Sequence, residues 1–544
     1  LNKLFQIFIF QGISMFATRA THLFASLVLL STTACSASTA LPTAPPENTT
    51  RVIEQALTEF YTPGMGVGVI HQGQVVYLNG VGQRNLTDDS AVTPETYFRL
   101  ASTSKAFTAA ALAMAIDEFS LSWQTKVTDI LPEFQMQDPW VTREFTLLDL
   151  LTHRSGLASG AGDSMLWPEP SGFSRQEIIH NLRYLTPVSS FRSEYAYSNL
   201  MFITAGEAVA RLYEKPYAKV IKEKIFTPLD MQCFAGDLND SALQNVAMSY
   251  GHNDERGLYA IPRNAIHGSE LVSAAAGGIV CNAAEMLKWV SMWLNDGQTA
   301  DGQTLLSPAQ IAFMQKAHQV LPVSGTDEEW DNISLKSYGL GWRLADVYGH
   351  KVVSHTGTLS GYQAYVTLVP DLELGIVLLN NGSNYGARSA VMQHILKAYL
   401  APQEKTDWVQ TLKEYQAERE AVYLANHSVP EGTGEVILDP LAYAGQFSDQ
   451  WFGQLTIAMV NGELRIQSEK MTTLTGTLTP FADHTFVIRW DNQNAAGDAF
   501  IHFDVNTQRQ ITGFSLYPFT DKQKDAHEYS DMYFTRSDSQ NLSE

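Results

Sequence analysis

The stretch FRLASTSKAFTAAALAMAID, residues 98–117, sets Ser102 and Lys105 three positions apart at the mouth of an Ala-rich segment. On a helix that spacing puts both side chains on one face, so the Lys105 amine can reach the Ser102 oxygen. A Ser hydroxyl is a weak nucleophile until a base takes its proton. An amine near the positive end of a helix dipole has reason to lose its own proton, and a neutral Lys is a base. The first turn of a helix also leaves backbone N–H groups free to hold an oxyanion. The plainer reading makes Ser102 a helix N-cap and Lys105 an exposed cation. No other lysine of the chain has Ser three residues before it.

Two further elements could complete such chemistry. FRSEYAYSNLMF holds Tyr197-Ser198-Asn199. A phenol serves as a second base where neighbouring cations favour its ionised form, and an amide can position the Lys and hydrogen-bond a substrate carbonyl. Tyr77-Leu78-Asn79 repeats the spacing, but a strand Tyr before a turn Asn explains it there. The third element is His355-Thr356-Gly357, expected at the end of a strand. Gly357 would let a ligand approach the backbone closely, and the Thr358 N–H would then be a second oxyanion donor.

These residues need a scaffold. Two β-rich runs around Gln72-Gly73 in GMGVGVIHQGQVVYLNGVG (64–82) predict a hairpin. The segment after Ser102 is apolar on nearly every face and predicts a helix buried on all sides. Helical stretches such as NLMFITAGEAVARLYE alternate with loops until about residue 350. Strand character returns at HKVVSHTG, YQAYVTLVP and LELGIVLLNNGS, with a turn at Pro370-Asp371, and a helix around ARSAVMQHILKAYL closes the block. Strands at both ends of a helical middle predict an α+β domain whose sheet the two ends complete. EKTDWVQTLKEYQAEREAVYLANHS reads as a connecting helix. Beyond Pro430, alternating runs around Asn461-Gly462, then HTFVIRW, AFIHFDV and ITGFSLYPF, predict a small all-β barrel or sandwich. The expected organisation is a targeting segment and tether over 1–40, the α+β domain over 48–403, a linker helix over 404–430 and the β-domain over 431–544.

Near the start, Arg19 and His22 precede an apolar run, Leu23 to Leu30, that continues in small residues to Ala34. That is the order of a secretory signal, and it is too short for a membrane span. Leu1 to Ser14 fits the order badly, which makes Met15 the expected translation start. Cys35, in LLSTTACS, resembles the lipidated Cys of bacterial lipoproteins, except that Thr32 stands where that pattern prefers Leu. Lipidation of Cys35, with membrane anchoring, and an ordinary cut near Ala37 or Ala40 both remain open. Either route exports the chain, to the periplasm or cell envelope of a bacterium.

The formal net charge of −21 repels nucleic-acid phosphates, so no nucleic-acid partner is expected. Of the three cysteines, Cys233 and Cys281 are expected as buried thiols, with a single bridge between them as the alternative. No zinc spacing and no His-Glu-x-x-His occur, so neither a metal nor another cofactor is expected. The expected partner is a small molecule or short peptide, cell-wall fragments included; oligomeric state is left open.

In order, Ser-x-x-Lys, Tyr-x-Asn and [Lys/His]-Thr-Gly resemble the signature of the serine β-lactamase and penicillin-binding-protein superfamily. The flanks YFRLASTSKAFTAAAL, LLDLLTHRSGL, EYAYSNLMFITAGE, SAAAGGIV and HTGTLSGYQAYVTLVPD are similar to the class C branch. That branch includes class C β-lactamases, D,D-carboxypeptidases, D-aminopeptidases and family VIII carboxylesterases. The resemblance spans residues 51 to 400, and the chain past 430 resembles the lipocalin-like β-domain appended to some of these hydrolases. It implies an antiparallel sheet flanked by helices, plus an all-helical region. It also implies an acyl-enzyme route in which Ser102 attacks a carbonyl, assisted jointly by Lys105 and the Tyr197 phenolate. Asn199, His355, Thr356, Gly357 and Thr358 would surround the substrate, with the oxyanion between the N–H groups of Ser102 and Thr358.

One departure bears on substrate. Class C β-lactamases carry Lys where His355 stands, and that cation grips the substrate carboxylate. A largely neutral His grips less, which favours small peptides, amides or esters, D-amino-acid peptides among them, over β-lactams. A β-lactamase or D,D-carboxypeptidase is one alternative. A penicillin- or peptide-sensing protein that binds without turnover is another, of a different class.

Overall fold

Strands Gly64–His71 and Leu374–Asn380 are buried at every position. Strands of that kind belong in the middle of a sheet covered on both faces. They lie side by side, antiparallel, from Met65 opposite Asn380 to His71 opposite Leu374, so the two ends of the domain do meet in one sheet. A computed structural model describes residues 43–236, 244–262, 271–426, 431–492, 497–519, 529 and 531–537. The targeting segment and Cys35 lie outside the described residues.

The sheet has nine antiparallel strands. In order across it they are Ser90–Ala91, Gln74–Asn85, Gly64–His71, Leu374–Asn380, Tyr362–Val369, His350–Leu359, Arg343–Val347, Lys336–Tyr338 and Gln319–Leu321. The first hairpin turns at Gln72 and Gly73, both at positive φ, as a tight two-residue turn requires. One face is covered by helices Thr49–Glu59 and Gly386–Leu400, whose Ile53, Leu57 and Ile395 share a core with Val67, Ile376 and Leu378. The linker helix runs from Trp408 to Asn426 and docks on this core through Trp408, Val409 and Leu412. The other face packs on helix Ala283–Leu294. Beyond it, helices Lys105–Glu118 and Asn199–Tyr213 cross at the centre of the helical region.

The C-terminal module is a closed barrel of eight strands, which resolves the choice between barrel and sandwich. Gly445–Asp449, Gly453–Val460, Glu463–Ser468, Thr475–Asp483, Thr485–Trp490, Ala499–Val505, Ile511–Pro518 and Tyr533–Arg536 follow one another around it. The last returns to the first, with Phe447 opposite Arg536. Closure gives each of these eight strands a paired neighbour on both sides. Phe447, Leu455, Ile457, Ile488, Phe503 and Phe514 fill the interior. The Asn461-Gly462 turn has both residues at positive φ.

The barrel leans on the helical region through definite bonds. The Gly172 N–H donates to the Lys470 carbonyl at 2.7 Å, and the Asn181 amide to the Trp451 carbonyl at 2.8 Å. Lys470 and Glu177 form an ion pair at 2.7 Å.

Cys233 and Cys281 are joined in a disulfide, against the expectation of two free thiols. Strand Phe234–Ala235 pairs antiparallel with Ile279–Cys281, Phe234 facing Val280, and that register carries Cys233 beside Cys281. Their Cα atoms are 4.7 Å apart, within bridging distance. The pairing joins residues 48 apart in sequence, so spacing alone could not reveal it.

Candidate active site

Ser102 sits in a 3₁₀ turn, Ala101–Ser104, and the α-helix starts at Lys105 rather than at the serine. Ala101 adopts φ 47°, a conformation costly for a residue with a Cβ, and this kink presents Ser102 to a cavity of about 540 Å³. Ser102 is not an N-cap, and Lys105 is not an exposed cation: its side chain is fully buried.

The Lys105 amine has three polar neighbours. They are Ser102 Oγ at 3.2 Å, Asn199 Oδ1 at 2.7 Å and the Ala276 carbonyl at 2.7 Å. Burial, with help from the Arg343 charge, holds the Lys105 pKa well below its ordinary value; Asp163 pulls the other way. A neutral amine has two hydrogens and one lone pair. Two of the neighbours are carbonyl oxygens that only accept, so they take the hydrogens. The lone pair is left for the one neighbour that can donate, the Ser102 hydroxyl. The position that is awkward for folding is thus arranged for proton abstraction.

Asn199 opens helix Asn199–Tyr213, with Ser198 as N-cap accepting from the Met201 N–H at 3.4 Å. Its amide is used at both ends, since Nδ2 donates to Asp163 Oδ2 at 2.8 Å. The other Asp163 oxygen is buried without a partner, and burial pushes the Asp163 pKa up to about 7 despite Asn199 and Lys105.

Tyr197 packs its ring under the Lys105 amine, 4.8 Å from the ring centroid, and against His153 at 4.3 Å. Its hydroxyl is buried and makes no hydrogen bond of good geometry, although Ser102 is a polar neighbour. Burial raises the Tyr197 pKa further than Arg343 and Ser102 lower it. Burial thus favours the phenol over the phenolate in the free protein, whereas it favours the neutral amine at Lys105.

His355-Thr356-Gly357 lies within strand His350–Leu359, not at its end. The neighbouring strand Arg343–Val347 pairs only as far as Ser354, which frees that edge of 355–359 for the Ser102 turn. Gly357 makes the approach possible: a Cβ there would fall 2.3 Å from the Leu100 carbonyl oxygen and 3.2 Å from the Ser102 nitrogen. Thr356 and Thr358 line the cavity, but His355 is buried behind it. His355 Nδ1 lies 2.7 Å from the Thr356 carbonyl oxygen, which only accepts, so Nδ1 carries the proton and Nε2 accepts from the Tyr338 hydroxyl at 3.0 Å. Burial beside Arg343 and Lys105 keeps the ring neutral.

The structure thus gathers Ser102, Lys105, Tyr197 and Asn199, borders them with Thr356, Gly357 and Thr358, and leaves His355 off the cavity wall. Tyr77 and Asn79 stay apart on strand Gln74–Asn85. Four participants were not foreseen. Asp163, in the Gly-rich SGAGDSML, and Arg343, in GLGWRLADV, both line the cavity. So does Glu169, whose carboxylate pairs with the fully buried Arg99 and accepts from the Ser273 hydroxyl at 3.1 Å. Asn492 reaches the rim from the barrel. Among the described residues no cluster of His, Cys, Asp or Glu is suited to hold a metal ion.

The sequence matches the Beta-lactamase family over residues 49–399, and a domain of unknown function, DUF3471, over 439–533. It is 28% identical to an unguisins hydrolase of Aspergillus campestris over 460 residues, 80% of this chain and 83% of that protein. It is also 28% identical to penicillin-binding protein 4 of Amycolatopsis lactamdurans, covering 60% of this chain and 82% of that one. Among solved structures, the octameric penicillin-binding protein homologue from Pyrococcus abyssi superposes with a TM-score of 0.57. That likeness covers 90% of this chain and 99% of the other at 20% identity, which speaks to fold alone.

Proposed function

Because the chain belongs to the serine β-lactamase and penicillin-binding-protein superfamily, and is at that level a serine hydrolase, we propose that it is an exported enzyme that cleaves small amides, peptides or esters through a Ser102 acyl-enzyme. D-amino-acid peptides are the favoured substrates. The observation that carries this reading is the Lys105 amine, whose two hydrogens are taken by Asn199 and Ala276 and whose lone pair is left for Ser102. In the acylation step Ser102 Oγ bonds to the substrate carbonyl carbon while its proton passes to Lys105. The oxyanion is held by the N–H groups of Ser102 and Thr358. The oxyanion then collapses and the bond to the leaving amine or alkoxide breaks; Tyr197 gives that group its phenol proton and is reprotonated from Lys105, and water then releases the acyl group by the reverse sequence. The Cys233–Cys281 bridge supports export, since such bonds persist in oxidising compartments. The apolar run before Cys35 supports it as well. The hydrolase named among the relatives favours turnover over sensing.

A fluorophosphonate tests the reading. It should label the wild-type protein at Ser102 and leave Ser102→Ala unlabelled, and the wild type should turn over D-alanine p-nitroanilide or p-nitrophenyl esters faster than nitrocefin. Fast nitrocefin turnover would overturn the substrate ranking, and labelling elsewhere would overturn the nucleophile.

A further inference from the structure

Arg388 is a buried cation off the cavity wall, in the first turn of helix Gly386–Leu400 and only 7% exposed. A cation there opposes the helix dipole, and a buried charge is costly unless a partner offsets it. Arg388 forms no ion pair with any described residue, and its Nε is buried without a hydrogen bond. Its Nη1 donates to two backbone carbonyls, that of Gly357 and, at 3.2 Å, that of Ala364. Burial draws its pKa down to about 10, which still leaves it charged at neutral pH. Folding alone gives little reason for a charge in this place.

The Gly357 carbonyl belongs to the same peptide unit as the Thr358 N–H, the second oxyanion donor. Gly357 stands opposite Ala364 on strand Tyr362–Val369, and the guanidinium meets the carbonyls of both. A trans peptide points its C=O and its N–H in opposite directions. With the Gly357 carbonyl turned to strand Tyr362–Val369, the Thr358 N–H faces the other edge. That is the edge which strand Arg343–Val347 leaves free beyond Ser354 and the Ser102 turn approaches. Hydrogen bonds in a chain polarise one another, so a cation on the carbonyl strengthens the N–H at the far end of the peptide as a donor. We propose that Arg388 polarises the Gly357–Thr358 peptide from behind the sheet, and so orients and strengthens the Thr358 N–H for the oxyanion. Arg388 touches neither substrate nor Ser102, which makes it a positioning residue. This rests on the Ser102 acyl-enzyme reading and adds to it the group that supports the oxyanion donor. A hydrogen bond on either side of one peptide unit puts the guanidinium about 9 Å from the oxyanion. At an effective dielectric of about 20, a unit charge at that distance favours the anion about 20-fold.

The test pairs Arg388→Met, which fills the space without charge, with Arg388→Lys, which keeps the charge and loses the fork. Acylation and deacylation both pass through an oxyanion, so slowing both alike lowers kcat and leaves KM in place. In the full-length protein, Arg388→Met should lower kcat on p-nitrophenyl esters about 20-fold at nearly constant KM. Arg388→Lys should recover most of that loss. A mere strut between helix and sheet predicts the reverse, a lower melting temperature with kcat kept. A Met variant that does not fold, or that keeps wild-type kcat, would overturn the proposal, as would a Lys variant no faster than Met. A second readout needs no turnover. With carbon-13 carbonyl glycine and nitrogen-15 threonine, only the four Gly-Thr pairs of the chain give a carbonyl-to-amide correlation in NMR. The Gly357–Thr358 signal, identified by its absence in Thr358→Ser, should move upfield in Arg388→Met and less in Arg388→Lys. A signal that stays in place would also overturn the proposal. If the signal moves but no acyl group ever reaches Ser102 in the wild type, the polarised peptide stands and the hydrolase reading falls.

Discussion

Asp163 is a carboxyl whose ionised form burial disfavours, and replacing it by Asn tests whether the electrostatics of the site are understood. Its carboxyl goes from an ordinary 3.8 to about 7, chiefly through burial. A group whose folded pKa is raised contributes its full stability below the unfolded value and loses it as pH rises through the folded one. Wild-type stability should therefore decline from this cause between pH 4 and pH 7 and level off above pH 8. Three units at 1.36 kcal/mol each set an upper bound of about 4 kcal/mol, reduced toward 2 by water in the open cavity. Asn keeps an oxygen to accept from Asn199 Nδ2 and cannot ionise. In urea unfolding at a series of pH values, the stability of Asp163→Asn minus that of wild type should grow by roughly 2–4 kcal/mol across this window.

The same substitution should act on the reaction. Asp163 raises the Lys105 pKa and Arg343 lowers it. Removing the acid should move the acidic limb of kcat/KM, which reports deprotonation of the free enzyme's base, to lower pH. Arg343→Gln should move that limb the other way. A stability difference that is flat with pH, or limbs that move together, would refute the reasoning.

Other substitutions follow from single contacts. Tyr197→Phe removes a buried hydroxyl without a good hydrogen bond, so thermal melting should change by less than about 1 kcal/mol. The acylation rate in stopped flow should nevertheless fall about 10²–10⁴-fold, the usual contribution of a positioned proton carrier. Cys233→Ser opens a bridge between residues 48 apart. It should cost about 2–4 kcal/mol in denaturant unfolding, and reductant should produce the same loss in the wild type only.

The chemistry was legible where it is local. Ser102 and Lys105 are one turn apart, Tyr197 and Asn199 two residues apart, and the tight turns at Gln72-Gly73 and Asn461-Gly462 follow from short-range backbone rules. The meeting of Gly64–His71 with Leu374–Asn380 was readable because both are continuously apolar and stand at opposite ends of one block. What escaped is what only tertiary pairing decides. Arg343 faces the site because its strand is in register with Ser354, and an Arg in GLGWRLADV reads as an ordinary surface charge. Asp163 reads as a loop residue until Asn199 is placed against it. His355 was recognised from its neighbours in sequence, yet whether it faces the cavity or the core depends on Tyr338 behind it. The disulfide failed for the same reason, since its partners meet through a two-residue strand with little pattern of its own.

The central claim is that the alcohol beside Lys105 carries the acyl group. Intact-protein mass spectrometry after rapid quench, over a panel of peptide, amide and ester substrates, tests it directly. A substrate that turns over should leave a transient mass increase equal to its acyl portion, mapped to Ser102, and Ser102→Ala should show neither adduct nor turnover. Hydrolysis that proceeds in Ser102→Ala, or an adduct mapped to another residue, would contradict it.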